Sequence, residues 1–69
     1  MTETIKINGE DKPVSASTVF ELLQAEEIDP AARFVAVAIN GSVVPRRSWP
    51  EATIRPGDDV EIVRPAPGG

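Results

Sequence analysis

The chain carries at residues 34–41 the stretch FVAVAING, an apolar run followed by a hairpin signal. The first six residues of this stretch are apolar and mostly β-branched or small, which is typical of a buried strand. Asn40-Gly41 favours a two-residue turn, because both residue types readily adopt a positive φ. We therefore expect a central strand over 34–39, covered at least in part on both faces, and a short partner strand over 43–45.

Three further strands are indicated on either side of this hairpin. Residues 3–8 and 60–63 alternate apolar and polar side chains, as half-buried strands do. A second strand is expected over 12–15, returning beside the first. Pro13 and Pro45 cannot donate a hydrogen bond to a β-ladder, so the second and fourth strands are predicted to lie at the sheet edges.

A single helix is predicted between the second and third strands. Thr18 and Glu21 fit a capping box, in which the Thr18 hydroxyl accepts from the Glu21 amide and the Glu21 side chain reaches back to the Thr18 amide. The helix carries one apolar stripe, formed by Val19, Leu22 and Leu23. We expect the helix to stop at Asp29-Pro30, since the residue before a proline avoids the helical region.

These elements predict an α+β fold of the β-grasp type. The five strands would form one mixed sheet of order 2-1-5-3-4, with the helix packed on one face. A chain of 69 residues has room for a single core, and Trp49 is the one large side chain available to anchor the segment after the fourth strand. We expect one domain over 1–64 and a flexible tail over 65–69.

The composition excludes several classes of function. The sequence has no cysteine and no histidine, so we expect no metal site and no catalysis by this chain alone. Its net charge of −4 and its 4% aromatic content argue against nucleic-acid binding. No signal peptide pattern and no run long enough to cross a bilayer is present. We therefore expect a cytoplasmic protein that does not bind membranes.

The last six residues, RPAPGG at 64–69, contain the candidate reactive group. A free carboxylate on Gly69 would allow the chain to be activated and to carry a chemical group. Glycine suits this role because it has no Cβ to block a narrow channel or to hinder its carbonyl. The ordinary alternatives are a frayed end and a linker residue left from expression.

Two longer stretches carry a family resemblance: TVFELL at 18–23 and FVAVAINGSVVPRRSW at 34–49. The first is similar to the helix start, and the second to the central signature, of the ThiS family, the ubiquitin-like sulfur carriers of thiamine biosynthesis. DDVEIV at 58–63 continues the resemblance into the last strand. The pattern formed by Val37, Asn40, Pro45, Arg46 and Trp49 is more typical of the thiamine carriers than of the small subunit of molybdopterin synthase. Pro65 and Pro67 depart from the usual tail, and each removes a backbone donor.

The resemblance implies a role in which other enzymes act on this chain. A ThiF-type adenylating enzyme would use ATP to activate Gly69, and sulfur from a cysteine desulfurase or an equivalent donor would convert it to a thiocarboxylate. Thiazole synthase would accept that sulfur. The chain would bind no cofactor itself, and Gly68 and Pro67 would be recognised with the tail. It is therefore expected not to be an enzyme.

Candidate partner contacts lie outside the tail. Phe34 and Ala36, with Ala38 and Phe20 beside them, could form the flat apolar patch that β-grasp carriers use for docking. Core packing is the alternative for Phe34, because the chain has so few aromatic residues to fill its core. Arg46 and Arg47 are candidates for contact with a partner enzyme, or are solubilising loop residues.

Three other functions remain open from the sequence. The chain could carry sulfur as the small subunit of molybdopterin synthase, or it could be a ubiquitin-like modifier that forms isopeptide bonds to lysines. Both of these functions also require the terminal glycines. A β-grasp interaction module, in which the glycines have no role, is the third.

Overall fold

The computed structural model describes residues 3–64, in which five strands form one mixed sheet. The strands are β1 (Thr4–Ile7), β2 (Glu10–Pro13), β3 (Ala36–Ile39), β4 (Ser42–Val44) and β5 (Asp59–Val63). Their order is β2-β1-β5-β3-β4, as predicted, with β1 and β5 parallel and the other pairs antiparallel. The edge positions predicted for the second and fourth strands are confirmed.

The first hairpin is tighter than predicted. Asn8 and Gly9 have φ values of 51° and 85°, and Ile7 pairs directly with Glu10. Two residues with positive φ are what a type I′ turn requires. The prediction of a second strand over 12–15 is therefore wrong, since β2 begins at Glu10 and ends at Pro13.

The central strand β3 is shorter than predicted. Phe34 has a φ of 64°, so the main chain there is left-handed and the strand begins at Ala36. Val37 is buried on the helix side of β3, with 2% of its surface exposed, whereas Ala36 is exposed on the other side. The expectation that both faces are covered at least in part is wrong at Ala36, which is exposed on the outer face, whereas Ala38 on the same face is half-buried.

The helix α1 (Val19–Ala25) begins as predicted but is capped differently. The Thr18 Oγ1 atom accepts from the Glu21 amide at 3.2 Å, which confirms the N-cap. The Glu21 carboxylate, however, accepts from the Ser17 amide at 2.9 Å rather than from Thr18. An isolated β-bridge between Thr18 and Thr53 sets the direction from which the chain enters the helix, and it leaves the Ser17 amide within reach of the carboxylate.

The helix ends before the predicted stop at Asp29-Pro30. Glu27 is left-handed, with a φ of 60°. Its amide donates to the Gln24 carbonyl at 3.0 Å, and the amide of Ile28 donates to the Leu23 carbonyl at 2.8 Å. These two bonds define a Schellman motif, which closes the helix ahead of the proline. Ile28 is itself buried, so this ending contributes to the core.

The core lies between the helix and the inner face of the sheet. It contains Ile5, Ile7, Val19, Leu22, Leu23, Ile28, Val35, Val37, Trp49, Ile54, Val60 and Ile62. Trp49 follows a 3₁₀ turn at Arg46–Ser48 and is 2% exposed, and its Nε1 atom donates to the Val44 carbonyl at 3.0 Å. The anchoring role predicted for this tryptophan is confirmed. Within residues 3–64, no helix is long and apolar enough to cross a membrane.

Candidate functional site

The tail residues predicted to carry sulfur or to be recognised, Gly69, Gly68 and Pro67, lie outside the described residues. The same is true of the tail predicted over 65–69. The described part of the site is therefore the end of β5 from which this segment continues. There, Val63 of β5 pairs with Ala36 of β3.

The side chain of Asn8 extends the pairing of β5 beyond the end of β1. Asn8 donates its backbone amide to the Val60 carbonyl at 2.9 Å, and the chain then turns away at Gly9. The Asn8 side chain continues the ladder: its Oδ1 atom accepts from the Ile62 amide at 2.8 Å, and its Nδ2 atom donates to the Ile62 carbonyl at 3.1 Å. As a result, β5 is hydrogen-bonded on its β1 side as far as Ile62. On its β3 side, its last residue, Val63, pairs with Ala36.

The second hairpin fixes the beginning of β5 in a similar way. The Oδ1 atom of Asn40 accepts from the Asp59 amide at 2.9 Å, and its Nδ2 atom donates to Asp58 at 3.1 Å. The sequence pattern of Asn40-Gly41 predicts only a turn, and the side-chain contacts of Asn40 and Asn8 were not predicted. The available clue was the side-chain amide of asparagine. It can both donate and accept hydrogen bonds, whereas an ionised aspartate can only accept them.

The outer face of the sheet carries a largely apolar surface, the outer-sheet patch, formed by Ala36, Ala38, Val43 and Val63, with the charged residue Glu61 lining the same depression. Val43 is 76% exposed and Val63 is 61% exposed. The patch surrounds a depression of about 220 Å³, smaller than the roughly 300–1,000 Å³ of typical small-molecule sites. This small volume argues against a site for a small ligand. Ala36 and Ala38 were predicted to lie in such a patch. The two valines were not, although each alternates with the inward side chains of its strand.

Phe34 does not join this patch. Its side chain is 77% exposed, so the core-packing alternative is wrong. The left-handed φ of 64° breaks the two-residue alternation that would have aligned it with Ala36. Phe20 is 36% exposed on α1, which covers the opposite face of the sheet, so the suggestion that it adds to the patch is also wrong.

Arg46 has intramolecular partners that the sequence did not reveal. Its guanidinium donates to the carbonyls of Pro30 and Ala32, and more weakly to that of Val35 at 3.4 Å. It also stacks on Trp49, with 4.6 Å between the guanidinium carbon and the ring centroid. Arg46 therefore braces the segment that leads into β3. Arg47 is exposed in the same 3₁₀ turn, and contact of either arginine with a partner stays a prediction.

Two ion pairs are formed by the described residues. Lys6 contacts Asp11 at 3.1 Å, and Lys12 contacts Glu26 at 2.8 Å. The hydrogen bond and the charge of Glu26 raise the pKa of the Lys12 amino group above its usual value of 10.5. This second pair ties the edge strand β2 to the end of the helix. Residues 3–64 contain no group of three acidic, histidine or cysteine side chains that could hold a metal ion.

A mixed sheet of this order with one helix on its inner face defines a ubiquitin-like protein of the β-grasp class. The sequence model of the ThiS family matches residues 2–69. The chain therefore belongs to the ThiS family. This confirms the resemblance seen in the sequence.

Two similar solved structures come from Geobacter metallireducens. The crystal structure of its thiamine biosynthesis protein ThiS has a TM-score of 0.77 at 32% identity, and the match covers 96% of this chain and 99% of that one. An NMR solution structure of a thiamine biosynthesis protein from the same organism has a TM-score of 0.75, also at 32% identity, covering 96% and 87% of the two chains.

A curated relative is much longer than this chain. It is a protein named thiazole synthase from Paramagnetospirillum magneticum, which is 40% identical over 63 residues. The match covers 91% of this chain but only 19% of the relative. The chain thus spans about a fifth of the length of that protein.

Proposed function

We propose that this chain carries sulfur as a thiocarboxylate on Gly69, for assembly of the thiazole ring of thiamine. The observation that carries the proposal is the ThiS family match, which runs over residues 2–69 and so includes both terminal glycines. The proposal requires that Gly69 end the mature chain with a free carboxylate.

The chemistry begins with a poor electrophile. A terminal carboxylate has a pKa of about 3.5 and is ionised at neutral pH, so it must be activated before sulfur can attack. A ThiF-type enzyme would transfer AMP from ATP to a Gly69 oxygen and release pyrophosphate. A persulfide from a cysteine desulfurase would displace AMP and form an acyl disulfide, and a thiol reductant would then cleave the S–S bond to leave the thiocarboxylate. An equivalent donor that supplies sulfide would displace AMP and give the thiocarboxylate directly.

The chain itself would contribute its C-terminus to the reaction rather than catalytic side chains. Its sequence has no histidine or cysteine to act as base or nucleophile, which supports a role as substrate of its partner enzymes. β5 lies inside the sheet and pairs with both β1 and β3. The Asn8 side chain extends that support to Ile62, so the segment leading to Gly69 starts from a fixed strand.

The outer-sheet patch supplies a second contact for an enzyme that takes up Gly69. The six residues after Val63 span at most about 21 Å when fully extended. An enzyme that holds Gly69 in its active site must therefore come close to the end of β5. Val63 and Val43 are large apolar side chains exposed on the outer-sheet patch, and we propose that they pack against the partner.

Thiazole synthase is the proposed sulfur acceptor. In the relative from Paramagnetospirillum magneticum, a segment similar to this chain is part of a longer protein of that name. Joining two activities in one polypeptide is expected when they act in succession on one intermediate. No comparable observation favours molybdopterin synthase, protein modification or a plain interaction module.

Intact-protein mass spectrometry tests the proposal. The chain is incubated with ATP, a ThiF-type enzyme and a sulfur donor, and we expect one oxygen to be replaced by sulfur. A variant with one residue added after Gly69 is the matched control and should not react. Sulfur uptake by the control, or conjugates with other proteins in place of sulfur uptake, would overturn the proposal.

A further inference from the structure

Phe34 occupies a conformation that is unfavourable in two respects. A left-handed φ of 64° is strained for a bulky residue with a Cβ, and its aromatic side chain is 77% exposed to solvent. It lines an open depression together with Pro30, Ala31, Ala32, Arg33 and Arg46, here called the Phe34 corner. Strain of this kind persists where surrounding contacts enforce it, and it is concentrated at functional sites.

The contacts that enforce it come from Arg46. Its guanidinium binds the carbonyls of Pro30, Ala32 and Val35, which lie on both sides of Phe34 in the sequence. The same guanidinium rests on the buried ring of Trp49. The main chain around Phe34 is therefore fixed, and the aromatic ring is presented from a rigid support.

The corner is also positively charged. Arg33 and Arg46 both line it, while the ion pairs formed within residues 3–64 involve Lys6 and Lys12 instead. A complementary surface would offer an apolar pocket for the ring, with carboxylates at its rim. Aromatic residues and arginines are the side chains most enriched among binding hot spots.

The position of the corner relates it to the tail. Phe34 lies two residues from Ala36, which pairs with Val63 at the end of β5. An enzyme that binds Gly69 is limited by the reach of the tail, as described above, and so must lie near this corner. The curated relative is a longer protein named thiazole synthase, and one segment of it is similar to this chain. This points to thiazole synthase as that enzyme.

We infer that the Phe34 corner is an anchor for thiazole synthase, which inserts the Phe34 ring into an apolar pocket rimmed by carboxylates. The inference rests on the proposed function and deepens it, because it names the surface that selects the acceptor enzyme. It also accounts for an aromatic residue at a position whose backbone favours glycine.

The test replaces Phe34 with residues that suit its backbone. Phe34→Gly and Phe34→Asn both tolerate a positive φ, and Phe34→Gly should raise the melting temperature by about 4–8 °C because it relieves the backbone strain. Titration of each full chain with the thiazole synthase of the same genome should nevertheless show about a 30-fold loss of affinity, the loss typical of a hot-spot side chain.

Charge reversal provides a second variant with a matched control. Arg33→Glu should weaken the same binding by about tenfold and reduce its dependence on salt. Arg55→Glu makes the same change in net charge. Arg55 precedes the first residue of β5 and so lies at the end of the strand opposite to the tail, and this variant should bind as the wild type does. Equal effects of the two reversals would overturn the inference, because they would show a response to net charge alone.

The inference would also be overturned if both Phe34 variants bound thiazole synthase with wild-type affinity, or if the wild type showed no measurable binding to it. Variants that bind the adenylating enzyme more weakly but bind thiazole synthase normally would overturn it as well. Sulfur uptake by the same proteins is measured separately by mass. If the Phe34 variants take up sulfur and bind thiazole synthase as the wild type does, the anchor is rejected but the proposed function stands. If the wild type takes up no sulfur, the proposed function is rejected.

Discussion

The side-chain amide of Asn8 exchanges two hydrogen bonds with the main chain of Ile62, at 2.8 and 3.1 Å. It occupies the place that the next residues of a longer β1 would fill in a parallel ladder. The contact joins residues 54 positions apart in the sequence. Through it, the first turn of the chain supports the strand that leads to Gly69.

Replacing Asn8 should therefore destabilise the domain. Asn8→Asp keeps the acceptor but places a charged oxygen against the Ile62 carbonyl. We expect it to lower the free energy of unfolding by about 1–3 kcal/mol, the cost of leaving a polar group unsatisfied. Urea denaturation followed by Trp49 fluorescence measures this change.

Asn8→Gly is the control for the turn itself, since glycine adopts the positive φ of this position without strain. It loses both side-chain bonds and should also be less stable than the wild type. Wild-type stability in both variants would show that the Asn8 contacts do not support β5.

Arg46→Lys should destabilise the domain although the charge is kept. Lysine lacks the planar fork that reaches several carbonyls and stacks on Trp49. We expect a loss of about 1–3 kcal/mol in the free energy of unfolding. Arg47→Lys, in the same turn, should change it by less than about 0.5 kcal/mol. Equal stability of the two variants would contradict the bracing role of Arg46.

The Lys12–Glu26 pair should make stability depend on pH in the alkaline range. The folded-state pKa of Lys12 lies above its usual 10.5, so the contribution of the pair is fully present below that value. It is lost as the pH rises through the folded-state pKa. Lys12→Gln should remove this part of the pH dependence, whereas Lys6→Gln should retain it. Denaturant titrations at a series of pH values compare them, and identical alkaline profiles for wild type and Lys12→Gln would contradict the prediction.

Val43 should matter for partner enzymes but not for folding. It is 76% exposed on the outer-sheet patch, so Val43→Ser should change the free energy of unfolding by less than about 0.5 kcal/mol. We expect sulfur uptake to slow severalfold when the activating enzyme is limiting. Phe20→Ala removes an exposed apolar side chain from the helical side and is the control. A similar slowing in the control would argue against a specific docking role for the patch.

Local patterns were sufficient to predict the sheet order and the helix. Short-range signals include the alternation in β1 and β5, the Asn40-Gly41 turn, Pro13 at the end of the edge strand β2, and Pro45 directly after the edge strand β4. Each of them acts over a few residues, so a single sequence reveals it. The Thr18 cap was predicted on the same basis.

The features that were missed depend on distant contacts. The left-handed conformations of Phe34 and Glu27 run against the preferences of those residues, and are set by the Arg46 brace and by the burial of Ile28. The clamp of Asn8 on Ile62 likewise requires the parallel pairing of β1 with β5. Such contacts exist only once the whole sheet has formed. The Arg46 contacts around Phe34 and the Asn8 contacts to Ile62 both lie at the site proposed for partner binding.

The most direct test of the account is the mass of the intact chain after incubation with ATP, a ThiF-type enzyme and a sulfur donor, with fragmentation to locate any change. The account predicts replacement of one oxygen by sulfur, confined to the fragment that contains Gly69. An unchanged mass, or sulfur located on any other residue, would contradict it.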